Sequence, residues 1–124
     1  MSSQPIIRTV AEAADNAIPR SPGATMKVLL GADEKMPHFF TRQFTLSPGT
    51  HIPNHVHDTI EHQQVMLEGV MDLTINGKVH QVTAGNVMYI PAKASHSYTN
   101  VGKGPVRFLC IIPSTLAYTT EFLE

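Results

Sequence analysis

From about residue 26 to residue 113, this chain reads as short strands punctuated by turn-forming residues. Ser47-Pro48-Gly49 and Gly102-Lys103-Gly104-Pro105 are loop signals. Asn76-Gly77 stands between Leu73-Thr74-Ile75 and Lys78-Val79-His80, and Asn-Gly suits the positive φ angles of a type I′ hairpin turn. The pattern predicts strands at 26–30, 38–46, 51–56, 62–68, 70–75, 78–82, 87–90, 95–99 and 106–112. Many short strands at this spacing mean an all-β sandwich or barrel. Residues 1–25 read as an N-terminal arm. A short helix is expected there over Val10 to Ala17, with Pro5, Pro19, Pro22 and Gly23 breaking the rest. Residues 26–113 are expected to form the barrel and residues 114–124 a C-terminal tail.

At 124 residues the chain is long enough for one domain with a true core. A net charge of −1 and the lack of a basic patch argue against nucleic acid as a partner. No apolar run approaches the roughly 18 residues that span a bilayer, so no membrane partner is expected. Met1 to Val10 lacks the basic-then-apolar order of a secretory signal. The single Cys110 rules out an internal disulfide framework. These features are consistent with a cytoplasmic protein.

The chemistry concentrates in histidine. Seven occur, and four fall in two short stretches: His55-Val56-His57 with Glu61-His62 close behind, and His96 further on. His55 and His57 are two apart, so on a strand both rings leave the same face. Imidazole is the commonest metal-ligating side chain and binds when neutral. Glu61 and His62 cannot both point inward on a regular strand. Glu61 shares parity with Gln63, Val65 and Leu67, whereas His62 shares it with Gln64, Met66 and Glu68. Apolar parity therefore selects Glu61, unless that face is covered from outside or a bulge switches the parity.

The wider stretches carry a resemblance. Gly49 is followed after five residues by His55-Val56-His57, then Glu61-His62 and Gly69. Gly85 is followed after five residues by Pro91, then His96 and Asn100. This resembles the two signature motifs of the cupin superfamily, G-x5-H-x-H-x3/4-E-x6-G and G-x5-P-x-G-x2-H-x3-N. Lys93 stands where the second motif has glycine, a departure that concerns a turn. The position of the usual glutamate ligand falls on His62, counting back from Gly69. Some small members hold metal there with four histidines. The resemblance thus implies a jelly-roll (double-stranded β-helix) barrel, a homodimer, and a metal held by His55, His57, His62 and His96, with Glu61 as the alternative to His62. His38, His51 and His80 read as surface or hydrogen-bonded residues, and Asn100 as a residue that bonds loop backbone.

A mainly imidazole set suits one divalent transition metal per chain (Mn, Fe, Ni, Co, Cu or Zn) rather than Mg or Ca. Four neutral imidazoles leave the ion its full charge and so its full strength as a Lewis acid. Open coordination positions would make the site enzyme-like, unlike a closed structural zinc. The ligands are expected from neighbouring strands of one barrel face, with the other hemisphere open to a small-molecule pocket. Phe40, Arg42, Phe44, Gln64, Met66, Tyr98, Phe108 and Cys110 are its expected walls, and Tyr89 reads as core or wall. Arg42, among apolar residues, is a candidate clamp for a carboxylate. Arg42, Gln64 and Tyr98 are the catalytic candidates. Two readings follow. One is a metal-dependent enzyme on a small oxygenated substrate, by sugar-acid lyase or isomerase chemistry, as in the pectin-degradation cupins, or by oxidative cleavage, as in four-histidine manganese cupins. The other is a non-catalytic ligand-binding or sensing module braced by its metal.

Overall fold

The computed structural model describes residues 4–124, and residues 1–3 of the expected arm lie outside them. The strands are β1 (Asn16–Ala17), β2 (Ala24–Leu30), β3 (Phe39–Leu46), β4 (His51–His57), β5 (His62–Glu68), β6 (Val70–Ile75), β7 (Lys78–Thr83), β8 (Val87–Ile90), β9 (His96–Asn100), β10 (Val106–Pro113) and β11 (Thr120–Phe122). They form two antiparallel sheets, ordered β1-β2-β3-β10-β5-β8 and β11-β4-β9-β6-β7. This is the expected all-β jelly roll.

The expected helix over Val10 to Ala17 does not form. A single 3-10 turn spans Val10–Glu12, and Asn16–Ala17 instead pairs with β2. An eight-residue helix is marginal in water, whereas the edge of β2 offers backbone partners. The Asn16 amide strengthens that choice by donating to the carbonyls of Ala14 and Met26. The C-terminal segment also carries a strand, β11, which pairs with β4 and so runs beside His55 and His57.

Alternation along β10 explains how the sandwich closes. Val106, Phe108, Cys110 and Ile112 turn inward and are buried, while the residues between them are half-buried on the outer face. Leu46, Met66, Met71, Leu73 and Ile90 complete a core drawn from both sheets. Each such side chain contributes roughly 1.5–3 kcal/mol on burial. The Phe108 ring stacks between Phe44 and Tyr98, at centroid distances of 5.0 and 5.2 Å. Tyr89, in contrast, lies exposed on the outer face, because it pairs with outward-facing Gln63.

Turn chemistry sets the register. Asn76 and Gly77 both take positive φ, as the type I′ hairpin requires. Gly69 joins β5 to β6 at φ +90°, and a Cβ there would meet the Pro105 carbonyl oxygen at 2.5 Å. Lys93 adopts φ +69° without being glycine, and its N–H donates to the His57 carbonyl at 2.9 Å. The turn thus keeps the shape that glycine would favour. Asn100 is buried at the end of β9. Its Nδ2 donates to the carbonyls of Leu46 and Gly104, and its Oδ1 accepts from the Gly102 N–H, all at 3.0 Å.

Replacing Asn100 by Ala would leave the buried Leu46 carbonyl without this donor and free the β9–β10 loop. We expect Asn100→Ala to lower unfolding free energy by about 2–4 kcal/mol, measured by urea denaturation. A loss below about 0.5 kcal/mol would show that water replaces all three bonds.

Candidate metal centre

Three histidines meet on the five-stranded sheet. His55 and His57 leave the same face of β4, and His55 is the direct cross-strand partner of His96 on β9. The His55 and His96 ring centroids lie 4.2 Å apart. One ligand atom from each of His55, His57 and His96 lies within 4.8 Å of the others. His62 faces them from β5 in the opposite sheet, its ring 5.2 Å from His57 and 5.1 Å from His96. The expectation that all four belong to neighbouring strands of one face is therefore corrected. His62 reaches the group across the interior because β5 begins there with an inward residue.

Strand parity divides Glu61 from His62. Along β5, His62, Gln64 and Met66 are buried, and Gln63 and Leu67 are exposed. Glu61 is exposed and accepts a 2.7 Å hydrogen bond from the Tyr89 hydroxyl. The apolar-parity argument for Glu61 fails because Val65 and Leu67 occupy the outer face of the sheet, not the core.

The hydrogen bonds select the nitrogen that each ring offers. His55 Nδ1 lies 2.7 Å from the Pro53 carbonyl oxygen, and His96 Nδ1 lies 3.0 Å from that of Ala94. His57 Nδ1 lies 3.4 Å from the Thr119 carbonyl and 3.0 Å from the Thr120 hydroxyl. A carbonyl only accepts, so Nδ1 carries the proton in these rings and Nε2 keeps its lone pair. His62 Nδ1 sits 3.3 Å from Cys110 Sγ. The Nε2 atoms of His62 and His96 are fully buried with no hydrogen-bond partner. Buried polar atoms are seldom left so. The donor set fits a transition metal, whose bonds to imidazole nitrogen are about 2.0–2.1 Å long.

Burial makes these rings poor bases. It pushes His57 down to about 4, His96 to about 3 and His62 to about 2, with neighbouring imidazoles and Arg42 adding to the effect. Burial also lowers His55. All four are neutral at pH 7, the form that ligates metal.

A cavity of about 350 Å³ adjoins the imidazoles. Of the expected walls, Arg42, Phe44, Gln64, Tyr98 and Cys110 line it. Met66 and Phe108 do not, being fully buried in the core, and Phe40 faces a neighbouring cavity. Ile18 from the arm and Tyr118, Thr120 and Phe122 from the C-terminal segment are walls that sequence reasoning missed. Their signal was present, since Tyr118, Thr120 and Phe122 alternate at strand spacing. Tyr118 meets the His57 ring edge-on at 5.4 Å.

The polar candidates gather around one sulfur. Cys110 Sγ lies 3.2 Å from Arg42 Nη2 and 3.4 Å from Gln64 Nε2, besides its contact with His62. Gln64 Nε2 also donates to the Tyr98 hydroxyl at 2.7 Å. Burial raises the Tyr98 phenol above its ordinary value, so it stays protonated. No carboxylate lines the cavity among the described residues.

Residues 42–112 match the cupin domain family. The chain is similar to an uncharacterised protein of Methanocaldococcus jannaschii, at 35% identity over 71 residues, which are 56% of this chain and 57% of that protein. It thus spans little more than half of that relative. Among solved structures, the polyketide cyclase RemF from Streptomyces resistomycificus superposes with a TM-score of 0.88 at 22% identity, covering 98% of this chain and 87% of that one. KdgF from a Halomonas species superposes at 0.79 with 11% identity, covering 92% and 97%. At these identities the two structures speak for the fold alone. No helix among the described residues is long and apolar enough to cross a membrane.

The lowered histidines set the response of the metal-free protein to acid. Below about pH 6.5 the unfolded chain takes up protons that the folded chain refuses, so stability falls as pH falls. Each fully buried ring can contribute up to about 1.4 kcal/mol per pH unit in that window. We expect the melting temperature of chelator-treated protein to be level from pH 7 to 8.5 and to drop steadily from pH 6.5 towards 4.5. A level profile down to pH 5 would contradict the assigned burial of these rings.

Proposed function

The chain belongs to the cupin domain family, and from that premise we propose that it is a metal-dependent enzyme acting on a small oxygenated substrate. The observation that carries this reading is the bare, buried Nε2 pair of His62 and His96 beside His55 and His57. We take His55, His57, His62 and His96 as the ligands, with manganese first among the divalent transition metals to test. When bound, the metal would supply Lewis acidity toward a substrate oxygen and, if redox-active, a site for dioxygen. Lyase, isomerase or cyclase chemistry would use the first property and oxidative cleavage the second.

The protein's own groups bind and orient. Arg42 presents a guanidinium to an anionic oxygen. Gln64, whose Nε2 donates to Tyr98 and Cys110, leaves its Oε1 free to accept from a substrate hydroxyl. The apolar walls exclude water, which strengthens each of these contacts. A second reading, a non-catalytic ligand-binding module, draws on one observation: among the described residues no carboxylate lines the cavity to carry protons.

The proposal includes a homodimer and a cytoplasmic setting. Phe39, Leu67, Val87 and Tyr89 are exposed on the outer face of the six-stranded sheet, which suits cover by a second copy. The one cysteine is buried and free, which suits a reducing compartment.

Elemental analysis of protein purified without added metal tests the centre. We expect one transition-metal ion per chain and its loss in the His55→Ala, His57→Ala double variant. His62→Ala should weaken metal binding by more than about 100-fold, beyond the effect of losing a supporting residue, and Glu61→Ala should leave it near the parent value. Full retention in the double variant would end the metal reading. Restored metal with substrate consumption separates the enzyme from the binding module, for which binding without turnover is expected.

A further inference from the structure

Arg42 raises a question that the metal centre does not answer. It projects from β3 into the interior, and no carboxylate lies within ion-pair distance of it among the described residues. Its Nε is fully buried without a hydrogen-bond partner. Its recorded contacts are the Cys110 sulfur, a weak acceptor, and the Phe44 ring, whose centroid lies 5.1 Å from the guanidinium carbon. The residue as a whole is half-buried, yet charges withdrawn even partly from water are ordinarily paired, because removal from water is costly. A cation kept inside without its counter-charge points to an anion that arrives from outside the chain.

The position of Arg42 says more about that anion. A second cavity, of about 230 Å³, lies on its other side. The two cavities share Met26, Arg42 and Tyr118. Beyond that wall the second is lined mainly by apolar groups, including Val28, Phe40 and Ile112, with exposed Asp33 and half-buried Thr115 as its polar residues. Leu116 also lines it and is 77% exposed, so this cavity meets the surface there. Met26 is an unbranched, flexible side chain that adapts readily to its surroundings. Beyond the shared wall the second cavity offers few hydrogen-bond partners for a polyhydroxylated sugar acid, and each unpaired buried hydroxyl would weaken binding.

We infer that the two cavities are lobes of one site, and that its ligand is an elongated, largely apolar anion. An oxygenated end sits by the imidazoles, a carboxylate or enolate oxygen rests on Arg42, and an apolar tail fills the lobe lined by Val28, Phe40 and Ile112. The oxygenated end rests on the metal-centre reading; the anion and tail assignments do not.

Straight-chain carboxylates from butanoate to decanoate, with galacturonate as the polar comparison, test this by calorimetric titration. Both metal-loaded and chelator-treated protein would be used. Affinity should rise up to about fourfold for each methylene that becomes buried, in both forms, and galacturonate should bind more weakly than hexanoate. Ala32→Trp fills the second lobe from an exposed position, and should bring the longer chains back towards the affinity of butanoate. Arg42→Gln should weaken the whole series by at least tenfold, and Arg42→Lys should recover part of that loss. A series flat with chain length, tighter binding of galacturonate, or an Ala32→Trp variant that binds decanoate like the parent would each overturn the inference. If the length dependence holds while elemental analysis finds no metal, the metal-enzyme proposal fails and this inference stands.

Discussion

Hydrogen bonds from imidazole Nδ1 to the carbonyls of Pro53, Ala94 and Thr119 decide what the interior of this protein can do. Each bond holds a ring in one tautomer and one orientation, and each leaves an Nε2 lone pair uncommitted. Two of the three carbonyls come from residues two positions before the histidine they hold, Pro53 within β4 and Ala94 in the turn that leads into β9. The third comes from the C-terminal segment, which makes that segment part of the centre and not an appendage. Without these bonds the rings could rotate to pair with one another, and the bare nitrogens would vanish.

That arrangement is costly to keep inside, and the sandwich bears the cost. Desolvation drives the histidines far below their ordinary basicity. The same desolvation removes proton competition for the Nε2 atoms at neutral pH. The long β3–β10–β5 ladders below the site, with Phe108 stacked against Phe44 and Tyr98, supply the burial that offsets it. Arg42 and Cys110 stand opposite one another in the β3–β10 register, so the half-buried cation and its weak sulfur partner are set by strand pairing itself.

The two faces of β5 show how a local rule fails. Alternation alone assigns the apolar residues Val65 and Leu67 to the core and Glu61 with them. In the fold they belong to an outer face that also carries Phe39, Val87 and Tyr89, while buried Gln64 finds its partner in Tyr98. A polar residue was affordable inside because another strand brought the matching hydroxyl, and no local pattern carries that information.

Much was nevertheless determined by the sequence alone. The nine main strands, the Asn76-Gly77 hairpin, the shared face of His55 and His57 and the glycine-type turns are local matters of φ, spacing and alternation, and they are legible residue by residue. The tertiary structure decided which histidines meet across the sandwich, that Glu61 faces solvent, and that Asn16–Ala17 and Thr120–Phe122 join the sheets as strands. It also decided that Ile18, Tyr118 and Phe122 become cavity walls and that Arg42, between two cavities, makes no ion pair among the described residues. The physical reason is common to all of these. Each depends on pairing or burial between residues far apart in the chain, and spacing within one segment says nothing about which distant segment will lie opposite.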